Sequence, residues 1–111
     1  MHDLDDEQLL RQQRFFLAEL ERDIRRINRE IIHERIPKLS RQCFVELGRG
    51  VAERRAEYLR QAIELGRSAP GSAEQAAALA AMPGLRHNYH ESREAFAALE
   101  RAIERGYIDI G

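Results

Sequence analysis

An all-α protein is expected from this chain of 111 residues on three counts. Apolar residues recur at steps of three, four and seven along most of its length, which is the period of a helix face. Three Pro and seven Gly leave few turns, too few for the many short strands of a sandwich or barrel. Aromatic residues make up 6% of the chain and Trp is absent, while Arg, Glu, Ala, Leu and Ile dominate. The length suits one domain, residues 1–111, able to bury roughly 65% of the surface its unfolded chain exposes. The architecture expected is a long antiparallel helical hairpin plus a short helix and a C-terminal helix, a three- to four-helix bundle.

The first helix is expected over Asp5–Arg35. Leu10, Leu17, Leu20, Ile24, Ile27 and Ile31 form a heptad seam, with Gln13 filling one slot. Acidic residues precede the seam, where they suit a helix N-terminus. Pro37 ends the helix, because proline lacks a backbone donor and disfavours helix at the residue before it. The second helix is expected over Lys38–Gly66. Phe44, Leu47, Val51, Tyr58, Ala62 and Leu65 make one stripe, and Val45, Ala52, Leu59 and Ile63 widen it. Gly48 and Gly50 interrupt it, each at about 1 kcal/mol relative to Ala. Two helices of similar length joined around Pro37 make an antiparallel hairpin the economical topology, with Leu17, Leu20, Ile24 and Ile27 holding it together.

Arg67–Gly71 reads as a loop. Ser72 with Gln75 is a capping-box pattern, so a short helix is expected from there to about Ala81. Pro83-Gly84 reads as a turn or kink before a final helix over Leu85–Arg105. Either the last two helices cover one groove as a broken third helix, the preferred arrangement, or the chain reverses at Pro83. Gly106 stands where a left-handed C-terminal cap belongs. The tail, Tyr107 to Gly111, is too short to be an independent strand.

Charge narrows the function classes. The net charge is −1, which argues against a sequence-independent nucleic-acid binder. The distribution is uneven: residues 1–10 carry −4, residues 11–60 carry +5 and residues 61–111 carry −2. Of the eighteen basic residues, seventeen are Arg, whose planar guanidinium makes bidentate contacts that Lys does not. One cysteine, Cys43, forms no internal disulfide, so nothing marks an oxidising compartment. The polar N-terminus is no signal peptide, and no apolar run approaches the ~18 residues of a membrane span. A cytoplasmic protein without membrane attachment is expected.

Four groups of residues are candidates for function. Arg22, Arg25, Arg26 and Arg29 form a stripe on the first helix, continued by His33, which suits an anionic partner such as a phosphate backbone. No aromatic residue interleaves with it, which weakens a stacking platform for single strands. Glu30 and His33 form a Glu-x-x-His element of the kind found in di-iron bundles, and His87, His90, Glu91 and Glu94 share a face of the final helix. Their phase puts them away from the apolar faces, so these are weak metal candidates and no cofactor is implied. Arg86-His87-Asn88-Tyr89-His90 resembles the Arg-to-His motif of helical HEPN ribonucleases, but that motif has a longer spacing than the three residues found here, so no such activity is assigned. Phosphate loops and nucleophile–base pairings are absent from the local sequence.

The last group is apolar. Phe15, Ile32, Tyr107 and Ile110 are surplus to a single stripe and are the expected partner surface. The function expected is therefore a non-enzymatic helical protein–protein interaction module (a small adaptor, chaperone or regulator), a homodimer or a binder of another protein. Nucleic-acid binding through the arginine stripe is the alternative, followed by a helical metal protein or enzyme.

Overall fold

The computed structural model describes the backbone of residues 3–111 and the side chains of residues 5–111. Three helices follow one another: α1 over Asp3–Arg35, α2 over Arg41–Arg67 and α3 over Ala73–Glu104. The all-α class is as expected, and a long antiparallel helical hairpin is present. It is built from α2 and α3, which pack along their lengths, whereas no Cα of α1 lies within 8 Å of either helix. The seam residues Leu17, Leu20, Ile24 and Ile27 therefore do not hold the hairpin. A heptad period guarantees an amphipathic face but does not say which helix covers it.

The pairing of α2 with α3 is read from its contacts. Phe44 meets Phe96 edge to face with ring centroids 6.0 Å apart, and Tyr58 stacks on Tyr89 at 6.2 Å. Arg55 Nε donates to the Tyr89 hydroxyl at 2.9 Å. Partners that rise along α2 fall along α3, so the helices are antiparallel. Gly48 faces Phe96, and a Cβ added there would meet the ring at 3.9 Å, an ordinary contact. The glycine is tolerated at this crossing and the crossing does not depend on it.

The short helix and the C-terminal helix are one helix. Pro83 and Gly84 lie inside α3, which continues through them. Proline removes one hydrogen bond and costs about 3 kcal/mol in a helix interior. Packing on α2 offsets that cost, with Ala78 buried before the proline and Tyr89 buried after it. The expected start is found: Ser72 Oγ accepts from Gln75 N at 3.1 Å, and Gln75 Oε1 accepts from Gly71 N at 2.8 Å. Ser40 caps α2 in the same way by accepting from Cys43 N. Gly106 adopts the left-handed conformation, φ 75°, with Gly106 N donating to Ile103 O and Tyr107 N to Ala102 O.

The tail straps α1 to the hairpin. Leu39, between α1 and α2, pairs with Ile110 in a single parallel bridge. Leu39 N donates to Asp109 O at 2.9 Å and Gly111 N to Leu39 O at 3.1 Å. Ile108 is buried, one of three buried apolar residues among those described, with Ala78 and Tyr89. The result is extended. Its radius of gyration is 23.5 Å and its extents are 74 × 43 × 16 Å, where a compact chain of this length has a radius of about 13 Å.

Candidate functional site

The largest unsatisfied feature of the molecule is the apolar face of α1. Leu10, Leu17, Leu20, Ile24, Ile27 and Ile31 are each 41–59% exposed. Leu9, Phe15 and Phe16 add to that surface near its N-terminal end. Seven-residue repetition brings these side chains to one side of a helix 33 residues long. Exposed contiguous apolar surface of this kind makes the α1 face the candidate site.

The other expected partner residues divide. Phe15 and Ile110 are well exposed, while Ile32 and Tyr107 are half-buried. None of the four belongs to the heptad seam. Leu17, Leu20, Ile24 and Ile27, which the sequence assigns to the interior, form the middle of the open face. The signal that could have separated the two cases is weak: the apolar face of α1 is widest around Leu9, Leu10, Phe16 and Leu17, far from the linker.

The arginine stripe is largely engaged. Arg25 pairs with Glu21 at 3.1 Å and Arg26 with Asp23 at 3.5 Å. Arg29 bridges to the tail, donating to the Gly106 carbonyl and, at 3.2 Å, to Asp109. Arg22 has no ion pair among the described residues and lies beside Glu19 and Asp23. Acidic neighbours lower the positive potential that a phosphate backbone needs.

His33 Nε2 lies 3.1 Å from Asp109 Oδ2, so Arg29, His33 and Asp109 form one polar node between α1 and the tail. The Arg29 guanidinium hydrogen-bonded to Asp109 holds its carboxyl below the usual carboxylate range, and His33 acts in the same direction. Asp109 was not singled out in the sequence, because it is 80 positions from Arg29 and only the folded tail joins them.

The weak metal candidates stay apart. Glu30 and His33 share a shallow cleft with Arg26 and Arg29, whose charges oppose a cation. His87 and His90 lie on α3, which has no Cα within 8 Å of α1. His87 lines an open groove of about 520 Å³ along the hairpin, with Leu47, Val51, Arg54, Glu91 and Phe96. His90 stacks on Tyr89 and its Nδ1 lies 2.9 Å from Arg93. Among the described residues, no group of three or more His, Cys, Asp or Glu could hold a metal ion.

Arg86 and His90 stand in the middle of α3, not at a helix start. Arg55 and Arg93 converge instead on Tyr89. The Arg55 hydrogen bond, aided by Arg93, lowers the phenol's pKa from its ordinary value, with burial opposing it. That cluster ties α2 to α3 and holds no nucleophile next to a base. No helix among the described residues is long and apolar enough to cross a membrane. No protein-family model, no curated protein and no solved structure matches the chain.

Proposed function

We propose that the protein is a non-enzymatic helical interaction module that works as a homo-oligomer, with α1 as its association element. The observation that carries this reading is the half-exposed heptad seam of a helix with no partner helix among the described residues. Isolated amphipathic helices draw most of their stability from packing of the apolar face. A helix of 33 residues with an open seam is therefore suited to meet a second helix from outside the chain.

Light scattering and sedimentation over a range of concentrations test the reading. A dimer or higher oligomer is expected, dissociating on dilution together with loss of helical signal. A concentration-independent monomer with full helicity would sink it. The engaged arginines give no comparable support to nucleic-acid binding, and an oligonucleotide pool at low salt is expected to bind weakly if at all.

A further inference from the structure

We propose that two copies of α1 pair antiparallel, with Leu17 of each opposite Leu20 of the other, so that the acidic starts of the two helices lie at opposite ends of the pair. The proposal rests on the homo-oligomer reading and adds its orientation and register.

Surface area argues for a second copy of the chain. The protein exposes 8888 Å², whereas a compact chain of 12.9 kDa exposes about 6,300 Å². The excess, about 2,600 Å² per chain, amounts to about 5,000 Å² for two copies, at the upper end of what obligate homodimers bury. The tail strap leaves the seam open. With Leu10, Leu17, Ile24 and Ile31 at a and Gln13, Leu20 and Ile27 at d, the strap residues Arg29 and His33 fall at f and c. Those positions are on the opposite side of the helix from a and d.

Charge sets the orientation. A parallel pair would place Asp5, Asp6 and Glu7 beside themselves and align both helix dipoles. Its compensating flank contact is Glu30 with Arg35. An antiparallel pair instead keeps the two acidic starts at opposite ends of the pair and opposes the dipoles.

Charge also sets the register. In antiparallel pairs a layers face d layers. Leu17 opposite Leu20 brings Leu10 opposite Ile27 and Gln13 opposite Ile24. The flanking Arg14 then meets Glu21 of the second copy, and symmetry makes the pair twice. Sliding by one heptad would set Asp23 against Asp23 and Glu21 against Glu21 at the two-fold axis, and Leu10 against Glu34. Like charges at such positions destabilise, and complementary ones select the pairing.

Cross-linking in the full chain tests orientation separately from association. In a Cys43→Ser background, Leu10→Cys and Ile27→Cys chains are treated with a short bismaleimide, each alone and after refolding together. The expected result is a covalent dimer from the mixture and none from either chain alone. In the antiparallel register the two Leu10 positions stand 17 residues apart, about 25 Å along the axis. Cross-linking of Leu10→Cys alone overturns the antiparallel proposal while leaving the homo-oligomer reading intact. An oligomer in which neither single chain nor mixture cross-links overturns it too, and places the seam against another element. A monomer overturns both. Because Leu10→Cys alters the seam, a spin label at the exposed Gln8, outside it, gives a second measurement. Two labels about 30 Å apart along the axis are expected, and adjacent labels overturn the proposal.

Discussion

The two halves of this molecule carry equally regular apolar stripes and use them differently. In the α2–α3 hairpin, Phe44, Tyr58, Tyr89 and Phe96 find one another, and Arg55 closes over the Tyr89 hydroxyl. In α1 the stripe meets no other helix among the described residues. Local order does not distinguish them, since both are long uninterrupted helices. The difference is in completeness: the hairpin is a small packed unit, and α1 leaves its apolar face open. The tail maintains that division by occupying the linker at Leu39 and holding Arg29 and His33 on the far side of α1.

The strongest way to break the comparison is to charge the seam. Leu20→Asp removes one buried side chain per copy at the centre of the proposed pair. Two such losses cost about 3–6 kcal/mol per dimer, a hundredfold or more in dimer Kd. Sedimentation should show dissociation, with α1 losing helicity because its apolar face is left in water. A variant that dissociates no more readily than wild type would mean the seam is not the interface.

The complementary change is made in the hairpin. Phe96→Ala removes a half-buried ring and its edge contact with Phe44. About 2 kcal/mol of hairpin stability should be lost, less than for a fully buried Phe. Thermal unfolding measures it, and the proportion of dimer at low temperature should hardly change. Equal loss of association in this variant would show that the hairpin is part of the interface and that the two halves are not separable.

These contrasts mark what was legible in the sequence. The first two helices, the Ser72 and Gln75 cap, the Gly106 cap and the stop at Pro37 are local chemistry, and each is found. Which helix pairs with which is not local. The seam of α1 and the stripe of α2 have compatible lengths, so a hairpin through Pro37 was the economical reading. The Arg29, His33 and Asp109 node was illegible because its members meet only when the tail returns to α1. The continuity of α3 through Pro83 depends on Ala78 and Tyr89 packing on either side, a tertiary effect that outweighs a local rule.

That last point sharpens into a smaller prediction. A Cβ at Gly84 would meet no heavy atom within 4 Å. Gly84→Ala should stabilise α3 by about 1 kcal/mol, through helix propensity and a less disordered unfolded chain. If thermal unfolding shows destabilisation instead, the helix is not continuous at Pro83 in solution and the hairpin is shorter than α2 requires.

The smallest effect concerns the joint between the two halves. Asp109 is partly exposed, and its ion pair with Arg29 is screened, so little global stability is at stake. Its value is in angle, because it fixes where α1 leaves the hairpin. The folded state favours the ionised carboxyl, since Arg29 lowers the Asp109 pKa. The contribution is therefore complete above the ordinary carboxylate pKa of about 4, and it drains as pH falls through the lowered folded value. Below that, Arg29 faces a neutral acid and keeps only its bond to the Gly106 carbonyl. Spin labels on α1 and α3 should report a broader distance distribution in acid, and the same breadth at neutral pH in Asp109→Asn. The variant should also lose the pH dependence, which separates the carboxylate from the general effects of acid on the other exposed pairs. An unchanged distribution in both would mean that the Leu39–Ile110 bridge and the buried Ile108 hold the joint without it.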